Sequence, residues 1–314
     1  MENVRISTRD AYGKALVELA EAFPKMVVLD ADLVGATKTG AFQKKYPERH
    51  FDCGIAEANM ACVAAGLATE GFIPVVSSFA VFASGRMYEQ IRNSIGYPHL
   101  NVKIVATHGG VSVGEDGATH QCCEDIALMR AIPGLKVICP SDAVETKSAL
   151  KAALEYEGPV YIRLGRSDIP VINDNDGYKF ELDKGIKLKD GKDLSIIATG
   201  LCVGEALEAT TLLKEKGIDA ELINIHTIKP IDSEIIVESA KKTGKVVAVE
   251  EHSIIGGLGE AVASVLAENL PTKTLKIGTT DVFGHSATAT ELLNEFNLKA
   301  EKIAQRILEW IKNN

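Results

Sequence analysis

The chain alternates. A short run rich in Val and Ile gives way to a helix-length amphipathic stretch, then another run, through most of its 314 residues. Strands each followed by a helix pair in parallel, because a crossover of that length brings the chain back to the same end of a sheet. The pattern therefore predicts α/β architecture. In the first half it places strands at 26–29, 73–77, 102–107, 136–139 and 160–164, with helices at 9–23, 56–70, 86–95 and 142–156. Asp142, with Glu145 three residues on, reads as a capping box. From Arg166 to Gly191 the alternation stops, and Asn173-Asp174-Asn175-Asp176-Gly177 is turn chemistry. It resumes with strands at 194–198, 220–223, 245–249 and 274–277 and helices at 204–216, 231–243, 259–269, 288–296 and 300–312. The expected organisation is two domains, each a mostly parallel sheet flanked by helices: residues 1–168, a linker at 169–192, and residues 193–314. A chain this long is more than one typical domain needs.

Composition narrows the function. Apolar residues at 46% and charged residues at 25% exclude a disordered chain. A net charge of −9 with no basic run argues against a nucleic acid or an anionic membrane as partner. No apolar stretch approaches the roughly 20 residues of a bilayer span, and the amino terminus carries no secretory pattern. The six cysteines lack CxxC spacing and read as reduced thiols of a cytoplasmic protein. Cys122-Cys123 beside His120 is a poor metal motif without a second cluster.

Five patches hold more polar chemistry than packing needs. Asp30 and Asp32 follow a strand, where ligands of α/β sheets sit, although an Asx turn explains them equally well. Glu57 precedes a segment apolar enough, over 61–68, to be buried on all sides; its carboxyl would be desolvated, its pKa raised, and suited to exchanging a proton with a heterocycle nitrogen. Phe79 and Phe82, one helical turn apart, are ordinary core residues or a stacking platform for a flat ring. The loop 106–121 has two histidines, His108 and His120, two carboxylates and four glycines. Such a loop between buried elements is seldom there for packing. Finally, 161–166 ends a strand with Arg163 and Arg166, natural clamps for a carboxylate or phosphate. His50, His99, His226 and His285 read as structural, and 256–259 as a turn before a helix.

Several of these stretches, in this order, resemble transketolase: Arg5-Ile6-Ser7-Thr8-Arg9-Asp10-Ala11-Tyr12-Gly13-Lys14-Ala15-Leu16; Gly54-Ile55-Ala56-Glu57; Gly114-Glu115-Asp116-Gly117-Ala118-Thr119-His120-Gln121; and Glu250 to Glu260. The likeness covers nearly the whole chain but only the carboxyl-terminal half of a full-length transketolase, its pyrimidine-binding and carboxyl-terminal domains. The family's Gly-Asp-Gly metal motif is nowhere in the sequence. The resemblance thus implies a split enzyme, in which a separate chain with the diphosphate-binding domain holds the thiamine diphosphate tail and Mg2+ or Ca2+, and the two chains assemble as a heterotetramer.

Residue by residue, it implies that Glu57 meets N1′ of the cofactor's aminopyrimidine, that Phe79 and Phe82 line that ring, and that Asp32 lies near the thiazolium. Asp116 and His120 would take sugar hydroxyls, and Arg9, His108 and Arg163 the far phosphate of a sugar phosphate substrate. Ala36 stands where the family commonly has a phosphate-binding Ser, with Thr37 beside it as the candidate substitute; a third aromatic after Phe82 is not assignable. Deoxyxylulose-phosphate synthase and the β subunit of 2-oxoacid dehydrogenases share the architecture, but the His108 and His120 loop favours transketolase. A non-catalytic partner subunit would not need Glu57, Asp116, His120 and Arg163 together.

Overall fold

The structure, a computed structural model, describes residues 4–174 and 177–313. Asn175 and Asp176 of the expected turn, and the first three residues, lie outside the described residues. The strands are β1 (Arg5–Ser7), β2 (Met26–Asp30), β3 (His50–Asp52), β4 (Ile73–Phe79), β5 (Lys103–Thr107), β6 (Lys136–Ile138), β7 (Val160–Arg163), β8 (Asp168–Pro170), β9 (Ile186–Lys189), β10 (Leu194–Ala198), β11 (Ala220–Asn224), β12 (Thr227–Lys229), β13 (Lys245–Ser253) and β14 (Lys273–Thr279).

Two α/β sheets result. The first has the order β12-β6-β7-β5-β4-β2-β3 and is parallel except for β12. Its central strands are buried along their length, as a sheet covered on both faces requires. The second runs β14-β13-β10-β11-β9, with only β9 antiparallel. Each is flanked by apolar clusters on both faces. Among the described residues no helix is long and apolar enough to cross a membrane.

Three details depart from the sequence pattern. The stretch between the two alternating halves is not structureless: β8 pairs with β1, and β9 forms an edge of the second sheet. Strand β12 crosses back to pair with β6, so the second half of the chain completes the first sheet. Strands of three or four residues at sheet edges carry too few positions for a period to show. The third departure is the helix Glu57–Thr69. Met60, Ala61, Ala64 and Ala65 are buried, but Cys62, Val63 and Gly66 face outward, so the helix is covered on one side only. Beside it Ile55 is 74% exposed.

Local capping agrees with the sequence. Asp142 accepts from the Glu145 backbone N at 2.8 Å, although the Glu145 carboxylate reaches back to Ser141 N rather than Asp142 N. The helix expected at 86–95 is instead a short turn, Tyr88–Gln90, widening into a π-type turn at Ile91–Gly96.

Candidate functional site

Because β2, β3, β4, β5 and β7 run parallel, their carboxyl ends share one edge of the first sheet, where ligands of such sheets bind. The loops bearing Asp32, Glu57, Phe82, His108 and Arg166 all leave from that edge.

An aromatic wall stands there. Phe79 is the last residue of β4, and the helix Ala80–Gly85 starts directly after it, so Phe82 follows one turn later. Their rings lie 5.6 Å apart and nearly parallel, at 12°. His108 stacks on Phe79 with centroids 3.8 Å apart, and His120 stands edge-on to Phe79 at 6.2 Å and to Phe82 at 5.7 Å. Glu57 opens its helix with its carboxylate 4% exposed, where the helix dipole favours an acid. It accepts from Arg86 Nη1 at 2.9 Å, and the Arg86 guanidinium lies 4.3 Å over the Phe82 ring. Two imidazoles, two phenyl rings, a buried carboxylate and the Arg86 guanidinium thus gather at one place on this edge.

Polar groups gather beyond His108. Arg9 donates from Nη1 to the Ala36 carbonyl at 3.2 Å, and that nitrogen is 3.4 Å from His108 Nε2. Arg9 Nε is buried without a partner, a free donor at this spot. Burial, helped by Arg9, Arg166 and His120, pushes the His108 pKa down to about 3, so the ring is neutral at ordinary pH. Its Nδ1 lies 2.9 Å from Thr107 Oγ1. A neutral ring accepting from Arg9 at Nε2 and donating from Nδ1 would satisfy both contacts. His108 and Asp32 both have positive φ, 60° and 59°, backbone strain of the kind that collects at functional sites. The carboxylate of Asp52 ties their neighbourhood together, accepting from Asp32 N at 3.0 Å and Gly54 N at 2.8 Å.

Two expected phosphate ligands are otherwise engaged. Thr37 turns inward: its hydroxyl donates to Asp30 at 2.7 Å and it is fully buried, so it cannot replace the hydroxyl missing at Ala36. Arg163 is 5% exposed and enclosed in the interior. Its Nε donates to both oxygens of Asp125, at 3.1 and 3.0 Å, and its Nη2 to the carbonyls of Cys122 and Glu251. Burial opposes the charge, yet Asp125 outweighs it and holds the guanidinium ionised. Arg163 therefore joins the two sheets rather than reaching a ligand.

The cation at the cleft is Arg166, the other candidate clamp of 161–166, which the resemblance did not assign to the phosphate. It is partly exposed, donates to the Val113 carbonyl, and lies 3.3 Å from Glu115 and 3.9 Å from Asp116. The signal was position: Arg163 is the last residue of a buried strand, whereas Arg166 comes after Gly165, in the loop. Asp30 is likewise internal, its pKa raised by burial while Thr37, Thr39 and two backbone amides offset it.

Comparison with known proteins identifies the family to which this fold belongs. Residues 4–171 match the family model "Transketolase, pyrimidine binding domain" and residues 183–303 "Transketolase, C-terminal domain". A protein of Methanocaldococcus jannaschii that carries the name of a transketolase C-terminal section is 56% identical over 306 residues, which is 97% of this chain and 96% of the relative. A 6-deoxy-6-sulfo-D-fructose transketolase subunit of a Clostridium species is 43% identical over 95% of this chain and 92% of its own length. Among solved structures, a split-gene transketolase described as an inactive beta4 tetramer superposes with a TM-score of 0.88 at 51% identity, covering 97% of each chain. Against the single-chain human enzyme the protein spans about half the relative's length. With both family models matched and subunit-sized relatives covered nearly end to end, this chain belongs to the transketolase family, as the section that carries the pyrimidine-binding and C-terminal domains.

Proposed function

We propose that the chain is one subunit of a thiamine-diphosphate-dependent transketolase, moving a two-carbon ketol unit from a ketose phosphate to an aldose phosphate. The observation that carries the reading is the Glu57 carboxylate, buried at a helix start beside the stacked Phe79 and Phe82. These residues fit an aminopyrimidine: a flat ring matches the phenyl pair, and a buried carboxylate matches a ring nitrogen that must exchange a proton. Thiamine diphosphate, when bound, supplies the carbanion chemistry, and the protein supplies orientation and electrostatics.

The chain's own residues then divide the work. Glu57 holds or releases the proton at N1′. Phe79 and Phe82 fix the ring plane, and Asp32 lies toward the thiazolium. His120 and Asp116, on one loop, take sugar hydroxyls. Arg9, with its unpartnered Nε, and Arg166, in place of Arg163, take the far phosphate. Neutral His108, with Nδ1 held by Thr107, orients Arg9 through Nε2 rather than supplying charge. Binding the remote phosphate positions the reacting carbonyl.

A partner completes the cleft. Mg2+ or Ca2+ and the diphosphate fall to a separate chain bearing the diphosphate-binding domain, since the family models this chain matches are the pyrimidine-binding and C-terminal domains. The outward apolar face of helix Glu57–Thr69, with Phe51 and Ile55 exposed beside it, suits burial against that chain or a second copy. Six free cysteines suit a cytoplasmic setting.

The test is reconstitution. This chain, the partner chain, thiamine diphosphate and Mg2+ are mixed and ketol transfer between sugar phosphates is followed. Transfer is expected only from the complete mixture. Transfer by this chain alone sinks the split-subunit reading, and a complete mixture that binds cofactor but transfers nothing sinks the activity.

A further inference from the structure

We propose that Arg86 occupies the aminopyrimidine's place until the cofactor arrives, and so sets how tightly the cofactor binds. The inference rests on the reading above, that Glu57 and Phe82 receive that ring. A guanidinium is flat and cationic, and it presents N–H donors in its plane. Arg86 uses those properties on the two groups assigned to the cofactor: it lies over the Phe82 ring at 4.3 Å and donates to Glu57 Oε1 at 2.9 Å.

Both partners explain why a stand-in is needed. The Glu57 carboxylate is 4% exposed, and a buried carboxylate with no donor is costly to keep. Phe82 would otherwise offer an uncovered ring face in a cleft. Arg86 is what the fold sets over that ring. Arg86 is also easily moved. Its side chain is 52% exposed, and it sits at the C-terminal end of the short helix Ala80–Gly85, on the solvent side of the ring. Glu57 and Phe82 are fixed by a helix and a strand–helix turn, whereas the arginine can swing into water with its charge still solvated. One arrangement excludes the other, because two flat groups cannot stack on the same face of Phe82 while donating to the same oxygen. The apparent cofactor affinity is then reduced by the fraction of molecules with Arg86 in place.

The experiment measures binding, not turnover. Thiamine diphosphate with Mg2+ is titrated calorimetrically into the mixture of this chain and its partner, for the parent and for Arg86→Ala and Arg86→Lys. Arg86→Ala is expected to tighten the apparent Kd about 5- to 20-fold, and Arg86→Lys by less, since an ammonium pairs with Glu57 but cannot stack flat. An unchanged or weaker Kd in Arg86→Ala overturns the proposal. A parent mixture that binds no cofactor overturns instead the reading of the site on which it rests. A second readout needs no variant of Arg86. The Arg86 guanidinium resonances of the full chain should carry an upfield ring-current shift that Phe82→Leu removes and that cofactor with partner also removes. A shift that survives saturation with cofactor refutes displacement.

Discussion

At the carboxyl edge of the seven-stranded sheet, Arg9 and His108 are left in strained or unpartnered arrangements; at the same edge of the five-stranded sheet, the acidic end of β13 is tied down. In the first, Arg9 Nε is buried with no partner and His108 holds a strained backbone. In the second, β13 ends in Glu250, Glu251 and His252, all buried and all engaged. Glu250 accepts from Leu258 N at 2.6 Å and Gly259 N at 2.8 Å, capping the helix Leu258–Asn269. Glu251 accepts from Ser112 N at 2.6 Å, across the junction between the sheets. His252 Nδ1 lies 2.8 Å from the Ser253 carbonyl. The architecture offers a ligand edge twice, and one of the two is used to hold the molecule together. Backbone held in strain, at Asp32 and His108, marks the edge kept for a ligand; charge alone does not.

The largest effect expected from breaking this contrast is at Glu57. Glu57→Gln keeps the shape of the carboxylate but cannot exchange the proton, so ketol transfer by the complete mixture should fall about 10²- to 10⁴-fold. The melting temperature should stay close to the parent's, because the amide can still accept from Arg86. Activity within a few-fold of the parent would remove Glu57 from the chemistry.

Next comes the pair of arginines, of which the resemblance chose Arg163 and the structure turns Arg166 to the cleft. Arg163→Ala leaves Asp125 buried without its ion partner and should cost about 3–5 kcal/mol of stability in denaturant melts. Arg166→Ala should leave stability nearly unchanged and raise KM for a phosphorylated sugar about tenfold or more, the worth of a charge-assisted hydrogen bond. The reverse pattern, a stable Arg163→Ala with poor KM, would restore the assignment that the sequence suggested.

That pair shows what the sequence conveys and where it stops. The buried strands 26–30, 103–107 and 194–198 announce themselves as short runs rich in Val, Ile and Leu, and so indicate the two sheets and the edge on which the site lies. The candidate ring residues Phe79, Phe82 and Glu57 could be picked out because polar or aromatic side chains at strand ends stand out against such runs. Direction could not be read. Arg163 and Arg166 are three residues apart, and only the packing of β7 against Asp125 turns one inward. Thr37 is hidden for the same reason: its engagement depends on Asp30, whose carboxylate faces a loop that must first fold. Edge strands such as β9 and β12 escaped because pairing with a distant strand, rather than local propensity, makes them extended.

The smallest effect tests the closed edge itself. Burial, with Arg163 and Ser112 opposing it, raises the Glu251 pKa to about 7 from an ordinary value near 4.5. The folded chain therefore holds this proton more tightly than the unfolded one. The stability it contributes is fully present below about pH 4.5 and is lost as pH rises through about 7. Above that, the folded protein carries a buried carboxylate relieved by Ser112 N and the field of Arg163. Glu251→Gln cannot titrate, and its amide oxygen still accepts from Ser112. Urea melts should show no advantage for the variant near pH 5 and a growing one toward pH 8, on the order of 1–3 kcal/mol. Gly110 sharpens the point, since a Cβ there would meet the Glu251 carboxyl at 2.2 Å and the contact leaves no room for water to solvate the charge from that side. A difference that stays flat across the range would mean that Glu251 keeps its charge in the fold, and that the second edge is less sealed than its hydrogen bonds imply.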